Sequence, residues 1–306
     1  MTKPHNFGPR QTLIFFLAAF ALAFLAPAFV TGWNWSVLKP LAQDAPQAKV
    51  QLWAVSISLQ AIFWLCCGIY LAYNWQRLRR SSQFGQAARD AILAYLVPGS
   101  ILLVVVIVTV MHKAELPPSD LGGRYHITNL RLFGSTGMVI VGIALWQMFV
   151  TRALLLRRWS DLASTSAKIE CMLEFRKSIL WLLFVAALIL ALGTLAGATL
   201  AGATNAFAKE TFPGEYPVVY GAWYSLLLIV VYFPVQGTYL LLARDVLKDL
   251  IGEAPSEIEA LQKWSDSSAK LQEILGMDVT KTSMLGPALS TLLPLICGWI
   301  SKMVAQ

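Results

Sequence analysis

Between Val218 and Ala243 the chain carries no Asp, Glu, Lys or Arg. At ~1.5 Å per residue, a helix of that length covers the ~30 Å hydrocarbon core of a bilayer. Lipid offers no partner to a backbone N–H or C=O, so a segment that crosses alone is a helix satisfied from within. Five further stretches, 12–31, 52–73, 91–111, 134–156 and 178–203, are of similar length and nearly as apolar. The whole 306-residue chain is 57% hydrophobic and 13% charged, with a mean hydropathy of +0.61. Soluble domains carry roughly 25% charged residues, so the deficit points to a membrane protein. The fold class expected is an all-α integral membrane protein with six transmembrane helices.

The first of these stretches follows Lys3 and Arg10 and resembles a signal peptide, with Ala26-Pro27-Ala28 as a small-residue cleavage site. Its apolar run of about 20 residues exceeds a signal h-region of roughly 7–15, and it is read as an uncleaved first span. Lys and Arg in alternate connectors then set the orientation, twelve on one side against six on the other. By the positive-inside bias both ends of the six-span set lie in the cytoplasm. An Ala- and Leu-rich chain of this kind, with no organelle signal, fits a bacterial inner membrane.

Three segments follow: a six-span domain over 1–243, a cytoplasmic helical segment over 244–281 and an apolar C-terminal helix over 282–306. In the middle segment, Ser256 and Glu259 form a capping box, and five basic and eight acidic side chains give a solvated helix. In the last, Leu285, Leu289, Leu292, Ile296, Trp299 and Met303 recur at 4-3-4-3-4, the spacing of a coiled-coil seam. Pro287 and Pro294 interrupt it, so its placement stays open between an oligomerising helix, an interfacial helix and a seventh span.

The net charge of +7 is gathered in short basic clusters between apolar runs. That pattern suits anionic lipid headgroups at Arg77, Arg79, Arg80, Arg157 and Arg158, and not nucleic acid. Cys66, Cys67, Cys171 and Cys297 form neither a disulfide framework nor a metal-ligand spacing. No phosphate loop, zinc motif or nucleophile elbow occurs, so no metal, cofactor or catalytic residue is expected. His112, Glu115, Asp120 and His126 share one polar stretch but match no ligand pattern. The spans also lack a central Asp, Glu, Lys or His, which argues against a proton- or sodium-coupled carrier built on a buried charge.

On a helix, Gly221, Ser225, Ile229, Tyr232, Gln236, Tyr239 and Ala243 fall on one face at steps of four and three. Ser225, Tyr232, Gln236 and Tyr239 are candidates to line a pore or ligand pocket, with Gln60 and Gln147 as partners from other spans. The same residue types also serve as polar glue between helices. Pro234 and Gly237, and Pro98 and Gly99, are hinge candidates. In 191–204 small residues dominate, and Gly193, Gly197, Ala201 and Gly202 are expected to admit a neighbouring helix at close range. The leading functional expectation is a homo-oligomeric pore for a small solute or ion, gated through the tail. The alternative is a non-conducting anchor or sensor subunit with a cytoplasmic partner protein, and an integral membrane enzyme comes third.

Overall fold

In the computed structural model, residues 9–30, 45–111, 124–207, 213–252, 258–275 and 285–305 are described, and every regular element among them is a helix. In chain order these are α1 (Pro9–Val30), α2 (Ala45–Arg79), α3 (Phe84–Met111), α4 (Arg124–Trp159), α5 (Thr165–Phe207), α6 (Tyr216–Ile251), α7 (Ile258–Leu275) and α8 (Leu285–Ala305). Four of them contain stretches long and apolar enough to cross a membrane: Ala48–Arg79, Arg131–Trp159, Thr165–Asn205 and Tyr216–Ile251. In α1 the comparable stretch, Leu17–Val30, is shorter.

Two connectors read from sequence as loops turn out to be helix. Helix α4 begins at Arg124, inside the polar stretch that contains His126, and α5 begins at Thr165, inside the basic connector. Ser164 starts α5 as an N-cap, its hydroxyl accepting from the Ala167 N–H at 3.2 Å. The 43 residues of α5 reach about 65 Å, twice the hydrocarbon thickness, so a charged first third extends beyond the apolar part. His112, Glu115 and Asp120 lie outside the described residues, as do 208–212 and 276–284.

Helix α5 is the centre of the bundle, with α2, α4, α6 and α8 around it, while α3 packs on α4 and α1 on α2. Leu182, Leu183, Ala186 and Ala187 of α5 meet Leu145 and Met148 of α4 and Leu228 and Val231 of α6 in one buried cluster. The outside is also apolar. Leu17 and Phe20 on α1, Leu93 and Leu103 on α3, and Trp223, Phe233 and Leu241 on α6 are all exposed. An apolar exterior around an apolar core is the arrangement of a multi-pass protein in hydrocarbon, where no hydrophobic force drives the helices together.

Polar contacts accordingly tie the helices at points where backbone groups lack partners. Pro27 lies inside α1 and has no N–H to give the carbonyl four residues back. Ser58 of α2 places its hydroxyl 2.7 Å from that carbonyl, Ala23 O. Asn129 of α4 donates to Phe29 O at 2.7 Å, satisfying one of the last carbonyls of α1.

The C-terminal helix, whose placement the sequence leaves open, packs within the bundle. Helix α8 lies against α5 and antiparallel to the first half of α6. A Cβ on Gly221 would stand 2.4 Å from Pro294 O, and one on Gly298 would stand 2.5 Å from Pro217 O. The Leu295 N–H donates to Ser225 Oγ at 3.2 Å, and Lys302 Nζ pairs with Glu215 Oε1 at 3.4 Å. The buried face of α8 is therefore Pro287, Thr291, Pro294, Gly298 and Ser301, small or kinked residues that let backbones approach. The heptad-spaced residues Leu289, Leu292, Ile296, Trp299 and Met303 point outward, 38–71% exposed. Leu285 begins the helix, and its side chain is outside the described set.

Candidate functional site

A cavity of about 190 Å³ opens between α2, α4, α5 and the first two turns of α6. Helix α2 contributes Trp53, Ile57, Gln60 and Trp64, spaced 4-3-4 so that they share one face. Opposite them stand Gly193, Ala196, Gly197 and Leu200 of α5. These small side chains create the space. A Cβ on Gly197 would meet nothing within 4 Å, and one on Gly193 would touch only Gln60 Nε2, at 3.6 Å. The glycine row expected to seat another helix thus walls a cavity at Gly193 and Gly197. Gly202 likewise has open space beside it, while Ala201 is buried.

Helix α4 adds Phe133, Ser135, Gly137 and Met138, and α6 adds Tyr216, Pro217, Tyr220 and Tyr224. Trp64 is held in place by two of these. It stacks on Phe133 with centroids 4.4 Å apart, and its ring edge occupies the space that a Cβ on Gly137 would take, 2.4 Å away. The Gln60 side chain is 95% buried, lines the cavity and makes no hydrogen bond among the described residues. The Ser135 hydroxyl and the Trp64 indole N–H are also buried without a partner. Native interiors leave few such groups, and each one needs a physical account. Among the described residues no charged side chain lines the cavity.

One turn further along each helix the space closes. Cys67 and Leu71 of α2, Val141, Leu145 and Met148 of α4, Leu183 and Ala186 of α5, and Leu227 and Leu228 of α6 are packed in the main core. Below them Asn74 donates to Gln147 Oε1 at 2.7 Å, and Gln147 donates to Leu71 O at 2.9 Å. Gln147 is therefore satisfied by α2 and lines no cavity.

The α6 stripe is divided among several contacts. Gly221 and Ser225 face α8. Tyr232 donates to Gln236 Oε1 at 2.7 Å within α6. Tyr239, fully buried, donates to Leu275 O at the end of α7 and stacks on Phe175 with centroids 6.2 Å apart. Ile229 is exposed. Pro234 and Gly237 lie inside a continuous α6, and Gly99 lies inside α3 beside the Tyr95 ring; the Pro98 side chain is outside the described set. Arg152, one turn from the end of the α4 apolar stretch, donates to Thr238 Oγ1 of α6 at 2.7 Å.

At the opposite end of the bundle from the cavity, the basic clusters are partly neutralised. Arg77 pairs with Glu174, and Arg157 with Asp90 at 2.6 Å. A hydrogen bond from Arg157 holds the Asp90 carboxyl below the usual carboxylate range. Arg79, Arg80 and Arg158 are exposed and have no acidic partner among the described residues. The Cys171 thiol nearby is pushed up by burial, which keeps it a thiol at neutral pH. Among the described residues no group of three His, Cys, Asp or Glu could hold a metal ion.

The polar residues of α6 were legible in the sequence, but the cavity was not, because its walls come from four helices. Its signals were the Trp53-Ile57-Gln60-Trp64 spacing and the Tyr216-Tyr220-Tyr224 row. Comparison with known proteins finds no matching family, no matching curated protein and no matching solved structure.

Proposed function

We propose that the chain is a membrane protein with six spans in α1 to α6, N-terminus in the cytoplasm, and a further span in α8, and that it binds a small molecule in the cavity between α2, α4, α5 and α6. Helix α8 then makes a seventh crossing, since its contacts with Glu215 and Pro217 carry it along α6 toward the side opposite the basic clusters. By the positive-inside bias the cavity sits in the outer half of the bundle. The observation that carries the proposal is the buried Gln60 amide, unpartnered among the described residues and lining a space large enough for a ligand. The closed core beneath the cavity favours a receptor or carrier over an open channel. Capture of the ligand from the outer side is the first step in both.

The test uses 4-fluorotoluene as a probe of cavity occupancy, followed by fluorine NMR on the full chain in nanodiscs. The native chain is expected to give a bound resonance absent from empty nanodiscs. Gly197→Leu starts from a Cβ that has open space around it and extends into the cavity, and is expected to abolish that resonance with little change in thermal midpoint. No bound resonance in the native chain with 4-fluorotoluene, nor with the more polar probes used below, would mean that the space holds water alone, and binding would be given up.

A pore formed around an axis by several copies is the second reading. It is favoured by the outward apolar row Leu289, Leu292, Ile296, Trp299 and Met303 on α8. The particle mass in nanodiscs, compared between the full chain and a chain ending at Thr282, decides it. A defined oligomer that becomes a monomer on truncation supports an axial pore, and two monomers exclude it.

A further inference from the structure

We infer that the ligand of this cavity is a compact, neutral molecule of the phenol class, with its hydroxyl held by the Gln60 amide. The inference rests on the binding function proposed above and adds the chemistry of what is bound. Three properties of the walls lead to it.

The first is size. An engineered apolar cavity of about 150 Å³ takes benzene, so one of about 190 Å³ takes a single ring with a short substituent. The second is charge. Among the described residues no Asp, Glu, Lys, Arg or His lines the space, and an ion brought there would be stripped of water with no counter-charge from them. A neutral ligand follows. The third is the pairing of ring and amide. Trp53, Trp64, Phe133 and Tyr224 offer aromatic surface, against which a ring settles edge-on or offset. Ser135 and the lining tyrosines also carry hydroxyls, but among the described lining residues only the Gln60 amide offers a donor and an acceptor on two separate atoms. A hydroxyl matches it on both sides, donating to Oε1 and accepting from Nε2. A purely apolar ring of the same size would leave the amide as unpaired as it is in the empty protein.

The experiment compares three probes of nearly equal size by fluorine NMR, with the full chain in nanodiscs and binding corrected for partition into empty nanodiscs. These are 4-fluorophenol, 4-fluorotoluene and 4-fluorobenzoate at pH 7. The native chain is expected to bind 4-fluorophenol roughly five- to thirtyfold more tightly than 4-fluorotoluene, the worth of a satisfied amide, and to give no bound signal with 4-fluorobenzoate. Gln60→Leu is expected to remove the preference while retaining 4-fluorotoluene.

Equal or better binding of 4-fluorotoluene to the native chain would overturn the phenol class and leave cavity binding standing. Competition by 4-fluorobenzoate would overturn the neutral class. A preference for 4-fluorophenol that survives Gln60→Leu would show that another group holds the hydroxyl, and would overturn the assignment. Binding of none of the three would remove the ligand class and the binding function together. Because the probe ranking is measured on the native chain, the inference is tested even if Gln60→Leu fails to fold.

Discussion

The carbonyl oxygen of Pro217 sits where a side chain at position 298 would have to go, 2.5 Å from the Cβ that Gly298 lacks. Four residues on, Gly221 stands in the same relation to Pro294 O at 2.4 Å. The two glycines, one on each helix, set the distance between α6 and α8. Gly298→Val is expected to push α8 off α6 and cost about 1–3 kcal/mol, the usual range for overpacking a filled contact. Gly286 belongs to the same helix but has open space beside it. Gly286→Ala is therefore expected to be neutral or mildly stabilising through helix propensity. Thermal midpoints of both variants in one detergent check this. Equal effects at the two positions would mean that α8 does not rest on α6.

Ser58 and Pro27 form a second testable pair. The proline leaves Ala23 O without its helical donor, and Ser58 lies 2.7 Å from that oxygen. Ser58→Ala is expected to destabilise by about 0.6–2 kcal/mol, the range for hydrogen bonds between membrane helices. Pro27→Ala restores the backbone donor, so Ser58→Ala should cost distinctly less in that background. A double-mutant cycle read by unfolding midpoints gives the coupling. Zero coupling would show that the hydroxyl is spent on Ala54 O, which lies 2.9 Å away in its own helix.

How much of this was open to sequence reasoning depends on whether a signal lay within one helix or between several. Long uncharged runs such as 218–243 dictate helices on their own, because lipid leaves the backbone no alternative. The α6 stripe was visible as a face, yet its partners lie far along the chain, at Leu275 and Leu295. In α8 the apolar row has the spacing of a seam for a further helix, but that spacing does not say which face packs within the chain. Beside other membrane helices the small and kinked face packs, and the large residues turn outward. For the same reason Gly193 and Gly197 were legible as small but not as cavity walls, since that depends on whether a neighbour fills the space they leave.

Gln147 and Asn74 give a third expectation. Both are almost fully buried; Asn74 donates to Gln147 Oε1 across α2 and α4, and Gln147 donates in turn to Leu71 O. Asn74→Leu leaves the Gln147 carbonyl without its donor and is expected to cost about 1–3 kcal/mol. Adding Gln147→Leu removes the orphan, so the double variant should be more stable than Asn74→Leu alone. Chemical denaturation of the three chains measures the order. A double variant less stable than both single ones would show that the two amides act independently.

The Lys302–Glu215 contact fixes the far end of α8 and carries a pH dependence of definite sign. A backbone hydrogen bond first, and the Lys302 ammonium second, hold the Glu215 carboxyl below its ordinary value of 4.5. A folded-state pKa below the unfolded one means stability that is present above the unfolded value and lost as pH falls through the folded one. The advantage of the native chain over Lys302→Gln is therefore expected to be full at pH 7 and to fade below about pH 4. Both groups are solvent-accessible enough that the effect is small and screened by salt. Thermal midpoints of the two chains at pH 7 and pH 3, at low ionic strength, measure it. A constant difference across that window would assign the Lys302 effect to packing.

Tyr239, within the second half of α6, donates its hydroxyl to the last carbonyl of α7, and among the described residues it is the partner of Leu275 O. The Leu275 side chain is itself buried in the main core and Leu271 packs against it, so the C-terminal end of α7 is anchored by this hydrogen bond and these two side chains. The rest of the helix is largely exposed, with Lys263 and Lys270 open to protease. Tyr239→Phe keeps the ring on Phe175 and removes only the donor. It is expected to raise the opening of α7 by the equivalent of about 1–2 kcal/mol, roughly five- to thirtyfold in population. Trypsin cleavage after Lys263 and Lys270 follows that population when opening is fast relative to cleavage. Cleavage should accelerate in Tyr239→Phe and more in Leu275→Ala, with the thermal midpoint of the bundle nearly constant in the first. If Tyr239→Phe instead lowers the midpoint and leaves cleavage unchanged, the hydroxyl serves the core and the tail is held elsewhere.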